Sequence, residues 1–214
     1  MTDTAVAPPR SQNIWGRVGD FLVRRPESTI ALVALALGAY FAVVNPAFLT
    51  TANIRVVSQY MIATAILAAG QVMLLISGEI DLSMGNVYFM TPFLVFFASE
   101  AGLVLPLAIL VGVLGAGVVG YLNGAISLGF GIPSFIVTLG MGFVINGFTL
   151  NISDGFPKRV PSTGVAAAIF GDANFSGLMW VIIIVIGVHL ILNHTRWGVY
   201  TVAVGGNPLG AAEA

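Results

Sequence analysis

The chain has 214 residues, 57% of them hydrophobic and 8% charged, with a formal net charge of −1 and a mean hydropathy of +0.98. A soluble domain carries about 25% charged residues; 8 basic and 9 acidic side chains cannot cover the surface of a 22.3 kDa globule. That excludes an ordinary soluble enzyme, a nucleic-acid binder and a disordered chain, and leaves a polytopic membrane protein solvated mostly by lipid. With no cysteine there is no disulfide framework, thiolate catalysis or cysteine metal site.

Residues 1–26 form a polar tail with Arg10, Arg17, Arg24 and Arg25. It lacks the short apolar core and small-residue cleavage site of a secretory signal, so removal is not expected. Disorder is expected over 1–12. Residues 13–24 form either a short interfacial helix, with Ile14, Trp15, Val18, Phe21 and Leu22 on one side, or a frayed continuation of the tail. Six apolar stretches follow: 28–44, closed by Asn45-Pro46; 56–76, closed by Ser77-Gly78; 84–98, closed by Ser99-Glu100; 103–127, ended by Gly129, Gly131 and Pro133; about 133–150; and 178–193. At 1.5 Å per residue the second spans about 30 Å, the thickness of the hydrocarbon core. Only helices or closed barrels satisfy the backbone in lipid, and barrel strands alternate every second residue. Continuously apolar runs therefore predict an all-α fold, a polytopic transmembrane helical bundle of about six spans. The third and sixth stretches are short enough to tilt little or to re-enter.

The four arginines before the first stretch place the N-terminus in the cytoplasm. Six crossings return the chain there after residue 193, leaving 45–55 and 151–177 outside. Five basic residues then lie inside, against Arg55, Lys158 and Arg159 outside. The organisation expected is a cytoplasmic tail over 1–26, a membrane domain over 27–193 and a cytoplasmic loop over 194–214. Gly155, Pro157 and Pro161 break the outer loop of about 27 residues, long enough to meet an external partner.

Lipid removes the hydrophobic drive for helix association, so backbones must approach closely instead. Gly112, Ala116, Gly120 and Gly124 recur every four residues and predict one helix-packing stripe, with Ala65 and Ala69 forming a smaller one. The acidic pair Glu79 and Asp81 needs a reason so near hydrocarbon. Asp81, followed by Leu-Ser-Met, can cap free N–H groups near Ser83 or Met84. The alternative is a break that lines a translocation route or fixes a gate. A catalytic dyad is poorly supported, because neither a histidine nor metal ligands lie nearby. Gln71, on a helical face with Tyr60 and Thr64, and Asn123 are pathway candidates; interhelical hydrogen bonding explains them equally. His189 reads as a hydrogen-bonded packing residue. There is no G-x-x-x-x-G-K-[ST], H-E-x-x-H or G-x-S-x-G, so ATP-driven work would need an ATPase on another chain. The rival from another class is a proton- or sodium-coupled carrier with Glu79 and Asp81 as ion-binding acids.

Four stretches together carry a resemblance. SGEIDLSMG (77–85) resembles the G-x-I-D-L-S-x-G signature of the permease subunits of ABC-type monosaccharide importers, the ribose, xylose and arabinose group. NIRVVSQYMIATAILAAGQVMLLISG (53–78) is similar to the span before that signature, and PSFIVTLGMGFVINGFTLNISDG (133–155) to the family's F-I-x-T-L helix. HTRWGVYTVAVGGNPLGAAEA (194–214) resembles the loop ending in G-G-N-x-x-A-A. The resemblance implies a signature or gate at Gly78, Asp81, Ser83 and Gly85, and an ATPase-coupling element at Gly205, Gly206 and Asn207. There Gly205-Gly206 are expected to turn the chain and Pro208 to open a short interfacial helix. It further implies an inner-membrane homodimer served by two cytoplasmic ATP-binding subunits and an extracytoplasmic sugar-binding protein. The chain itself would bind lipid but no cofactor and no nucleic acid, and ATP would be used by the partner. Glu79 stands where the family often has glycine, so no role passes to it. Family members continue with further spans, so the chain is expected to be a C-terminally truncated form.

Overall fold

A computed structural model describes residues 25–160, 164–172 and 176–212; the expectations for 1–24 fall outside them. The elements are α1 (Pro26–Val44), α2 (Thr51–Ile76), α3 (Met84–Glu100), α4 (Leu105–Phe130), α5 (Ser134–Ser153), a short α6 (Gly164–Ala167) running into a π-helical turn (Ala168–Asp172), α7 (Ser176–His194), α8 (Arg196–Gly206) and α9 (Pro208–Ala212). Among the described residues there is no strand. Among the described residues four helices, α2, α4, α5 and α7, are long and apolar enough to cross a membrane. The other two expected spans are shorter: an apolar run Ser28–Val44 in α1 and the 17 residues of α3.

Local sequence explains where the helices start and stop. Pro26 and Pro106 sit in first turns, where the missing N–H has no intrahelical partner to lose. α4 ends at Gly131, whose φ of 64° allows its N–H to reach the Ser127 carbonyl, a left-handed cap that glycine adopts without strain. Pro92, inside α3, removes one helical hydrogen bond on an exposed face.

The described residues fall into two units, one up to Val57 and one from Ser58. In the first, Asn45 Oδ1 accepts from the Ala47 N–H at 2.9 Å, Asn53 Nδ2 donates to the Phe48 carbonyl at 2.8 Å, and the Phe41 and Phe48 rings lie 5.7 Å apart. In the second, α3 packs against α4 and α5, and α4 against α5. The small core there is Val95, Ala98 and Ala108, flanked by Leu105, Ile109 and Val160. Outside it, large apolar side chains face outward: Leu35, Val43, Tyr121 and Leu128 are 74% to 86% exposed. In water such a surface would aggregate; in a bilayer it faces its solvent.

α3 and α4 run antiparallel, with Val95 and Thr91 against Gly112 and Leu94 against Gly115. A Cβ on Gly112 would lie 2.8 Å from Val95 Cγ2 and 3.0 Å from Thr91 Cγ2. Within the described residues only part of the predicted stripe meets α3. Gly112 is buried and Ala116 half-buried, but Gly120 and Gly124 are exposed with open space around them. The face in contact is Ala108, Gly112, Gly115, Val119 and Asn123. A strict four-residue step rotates about 40° past a full turn each time, so Gly120 and Gly124 have turned away.

Candidate functional site

The site is the break between α2 and α3. At the end of α2, the Glu79 N–H reaches the Leu74 carbonyl at 2.9 Å and the Gly78 N–H reaches Leu75 at 3.1 Å. Gly78 has φ 84°, the left-handed position at which such a cap needs glycine. From Glu79 to Ser83 the backbone leaves the helix, and its polar groups need other partners away from water.

Side chains of α5 and of the break itself supply them. The Ile80 N–H donates to Ser134 Oγ at 3.2 Å, and the Leu82 N–H to Thr138 Oγ1 at 3.0 Å; the Thr138 hydroxyl faces the Ile80 carbonyl at 3.4 Å. Ser134, Thr138 and Gly142 are spaced i, i+4, i+8 on one face of α5. At Gly142 α5 comes close enough that a Cβ would lie 3.0 Å from Asn86 Nδ2 and 3.7 Å from Ser83 Cα. The Asp81 carboxylate does cap, and it does so at Ser83: Oδ1 accepts both the Ser83 N–H and the Ser83 hydroxyl at 2.6 Å.

Ser83 is fully buried, and its Oγ also accepts from Asn123 Nδ2 on α4 at 2.9 Å. The chain Asn123–Ser83–Asp81 thus ties α4 to the break through one hydroxyl that accepts at one side and donates at the other. Asn123 is buried, and its Oδ1 has no hydrogen-bond partner.

The other predicted residues are distributed as follows. Gly85 lies in the first turn of α3 with open space around it. Gln71 is half-buried on α2, its Oε1 without a partner, and lies outside this cluster; on its expected face Tyr60 is exposed and the Thr64 hydroxyl bonds the Tyr60 carbonyl at 3.1 Å. Glu79 is exposed, and among the described residues no three acids or histidines group as metal ligands. His189 is exposed, its Nδ1 lying 3.2 Å from Asn193 Nδ2.

The expected turn at Gly205-Gly206 is corrected: both are the last residues of α8, with no positive φ. They differ in packing. A Cβ on Gly205 would overlap the Ile76 carbonyl and lie 3.2 Å from Ser77 Cα, whereas Gly206 has open space. Glycine at 205 thus permits close approach of two backbones, which a turn reading of the sequence misses. Asn207 makes the junction to the next helix: its Oδ1 accepts from the Gly210 N–H at 3.1 Å, and Pro208 opens α9. α8 therefore rests on the last residue of α2, two positions before Gly78. Ser134, Gly142 and Asn86 were not singled out from sequence; the i, i+4, i+8 spacing on α5 was the available signal.

Residues 50–214 match the family described as the branched-chain amino acid transport system/permease component. The chain belongs to this permease family. It is 30% identical over 199 residues to the xylose/arabinose import permease protein of Sulfolobus acidocaldarius, covering 90% of this chain and 56% of that protein. It is also 30% identical over 212 residues to the L-arabinose ABC transporter permease protein of Azospirillum brasilense (96% and 59%), and over 190 residues to the ribose import permease protein of Escherichia coli K12 (85% and 58%). The permease thus spans somewhat over half the length of these relatives. No solved structure matches it. Family membership and the apolar helices make it a multi-pass protein of the cytoplasmic membrane.

Proposed function

We propose that this permease is the membrane-spanning subunit of an ATP-driven importer that carries a monosaccharide into the cell. The observation that carries the reading is its match, along residues 50–214, to a permease family whose similar members are named for importing xylose, arabinose and ribose. Those names favour it over an ion-coupled carrier built on Glu79 and Asp81. The geometry is consistent: Asp81 is engaged by Ser83, and uncharged amides and hydroxyls populate the interior. Such groups can pass a hydroxyl-rich solute without trapping it.

In this reading the permease performs no bond chemistry and holds no cofactor. A sugar-binding protein docks outside. Two ATP-binding subunits act from the cytoplasm on α8, α9 and Asn207, and a second permease copy completes the pathway. The N-terminus is cytoplasmic, about six segments including α1 and α3 cross or enter the bilayer, and the tail, membrane and coupling regions are those expected over 1–26, 27–193 and 194–214. Closure of the ATPases displaces α8 as a rigid body. Gly205 passes the displacement to Ile76, and Gly78 is the joint at which the break moves against Asn123 and Thr138. Gly85 and Gln71 flank this joint.

The test is sugar uptake into proteoliposomes holding the permease, its ATPases and the binding protein. Uptake should require ATP and survive ionophores that collapse proton and sodium gradients. Uptake that follows an ion gradient without ATP contradicts the proposal.

A further inference from the structure

Beside the joint, α2 and α8 enclose a groove of about 340 Å³ lined by Met73, Leu74, Ser77, Trp197, Tyr200, Thr201 and Val204. Its position relative to the membrane follows from the helices: α2, a membrane-crossing candidate, ends at Ile76, and α7, another, ends at His194, just before α8. The groove therefore lies at the depth where hydrocarbon gives way to headgroups, and Trp197 and Tyr200 are residue types that collect there.

Its two aliphatic hydroxyls are already engaged. Ser77 Oγ donates to the Leu74 carbonyl at 2.8 Å and Thr201 Oγ1 to the Trp197 carbonyl at 2.9 Å. With both hydroxyl protons turned onto their own helices, the wall suits an alkyl chain better than a polar peptide. Arg196, the residue before Trp197 and one helical turn from Tyr200, is exposed, as is His194. Among the described residues no carboxylate pairs with Arg196, whereas Lys158 has Asp154 at 3.6 Å. An apolar slot with an unmatched cation one residue from its lining complements one kind of partner that is always present at this depth.

We propose that this groove binds an anionic phospholipid, one acyl chain lying along Met73, Leu74 and Val204 and the phosphate meeting Arg196. The site rests on the membrane location of the chain and not on the importer reading, so either can fail alone.

The experiment uses the protein purified from bilayers of phosphatidylcholine mixed with phosphatidylglycerol, with retained lipid counted by native mass spectrometry. The expected result is retention of phosphatidylglycerol over phosphatidylcholine. Arg196→Gln, at an exposed position, should lower that preference about fivefold, the effect of one basic residue at an anionic surface. Val204→Trp, which fills the groove, should abolish retention of either lipid while helical circular dichroism is unchanged. Because the chain has no cysteine, Val204→Cys carries a single photo-crosslinker, which should label lipid. Equal retention of the two lipids, a preference that survives Arg196→Gln, or crosslinking to polypeptide overturns the proposal.

Discussion

The two ends of α3 are held in different ways. Towards its C-terminus, Thr91, Leu94, Val95 and Ala98 pack onto a face of α4 made of Ala108, Gly112 and Gly115. The contact is dense and non-directional, and it cannot slide without opening voids or clashes. At its N-terminus, Ser83 and the preceding break are held by hydrogen bonds: two N–H groups to hydroxyls of α5, and one hydroxyl shared between Asp81 and Asn123. Hydroxyls rotate, and interhelical hydrogen bonds in membranes average only about 0.6 kcal/mol. One end is thus a fixed anchor and the other a releasable one, on a single helix of 17 residues. That difference is what a moving joint next to a stationary scaffold requires.

The largest expected effect lies at the anchor. Gly112→Val places atoms where Val95 and Thr91 already are and should cost about 3 kcal/mol, read as a lowered thermal midpoint of the detergent-solubilised protein. Next comes Ser83→Ala, which leaves the Asn123 amide and the Asp81 carboxylate each short of a partner; about 2 kcal/mol is expected in the same assay. Thr138→Val keeps shape but removes the acceptor of the Leu82 N–H, for about 1 kcal/mol, and Thr138→Ser should restore most of it. If Thr138→Val cost more than Gly112→Val, the assignment of anchor and releasable end would be reversed. The smallest effect should come from Gly124→Ala, within about 0.5 kcal/mol for the single chain. A larger loss would mean that a second surface covers the open half of the α4 stripe.

Much of this was legible in the sequence. Uninterrupted apolar runs can only be helices in lipid, and Asn45, Gly78 and Gly131 marked their ends because each belongs to a recognisable cap. Asp81 two residues before Ser83 announced its own hydrogen bond, which is local. The rest depends on distant partners. Nothing local names the partners of the Ser134 and Thr138 hydroxyls, which lie 54 and 56 positions earlier. Only part of the α4 stripe meets α3, because spacing reports residue type and not the slow rotation of a helix face. Gly205 and Gly206 looked alike, and only the position of Ile76 separates them.

That last pair gives the most direct test of the joint. In the reconstituted system with ATPases and binding protein, Gly205→Ala should leave ATP hydrolysis in place but lose sugar uptake, because the contact with Ile76 is wedged apart, while Gly206→Ala should transport as the parent does. Equal uptake by the two variants, whether both active or both dead, would contradict the claim that α8 drives the break through Gly205.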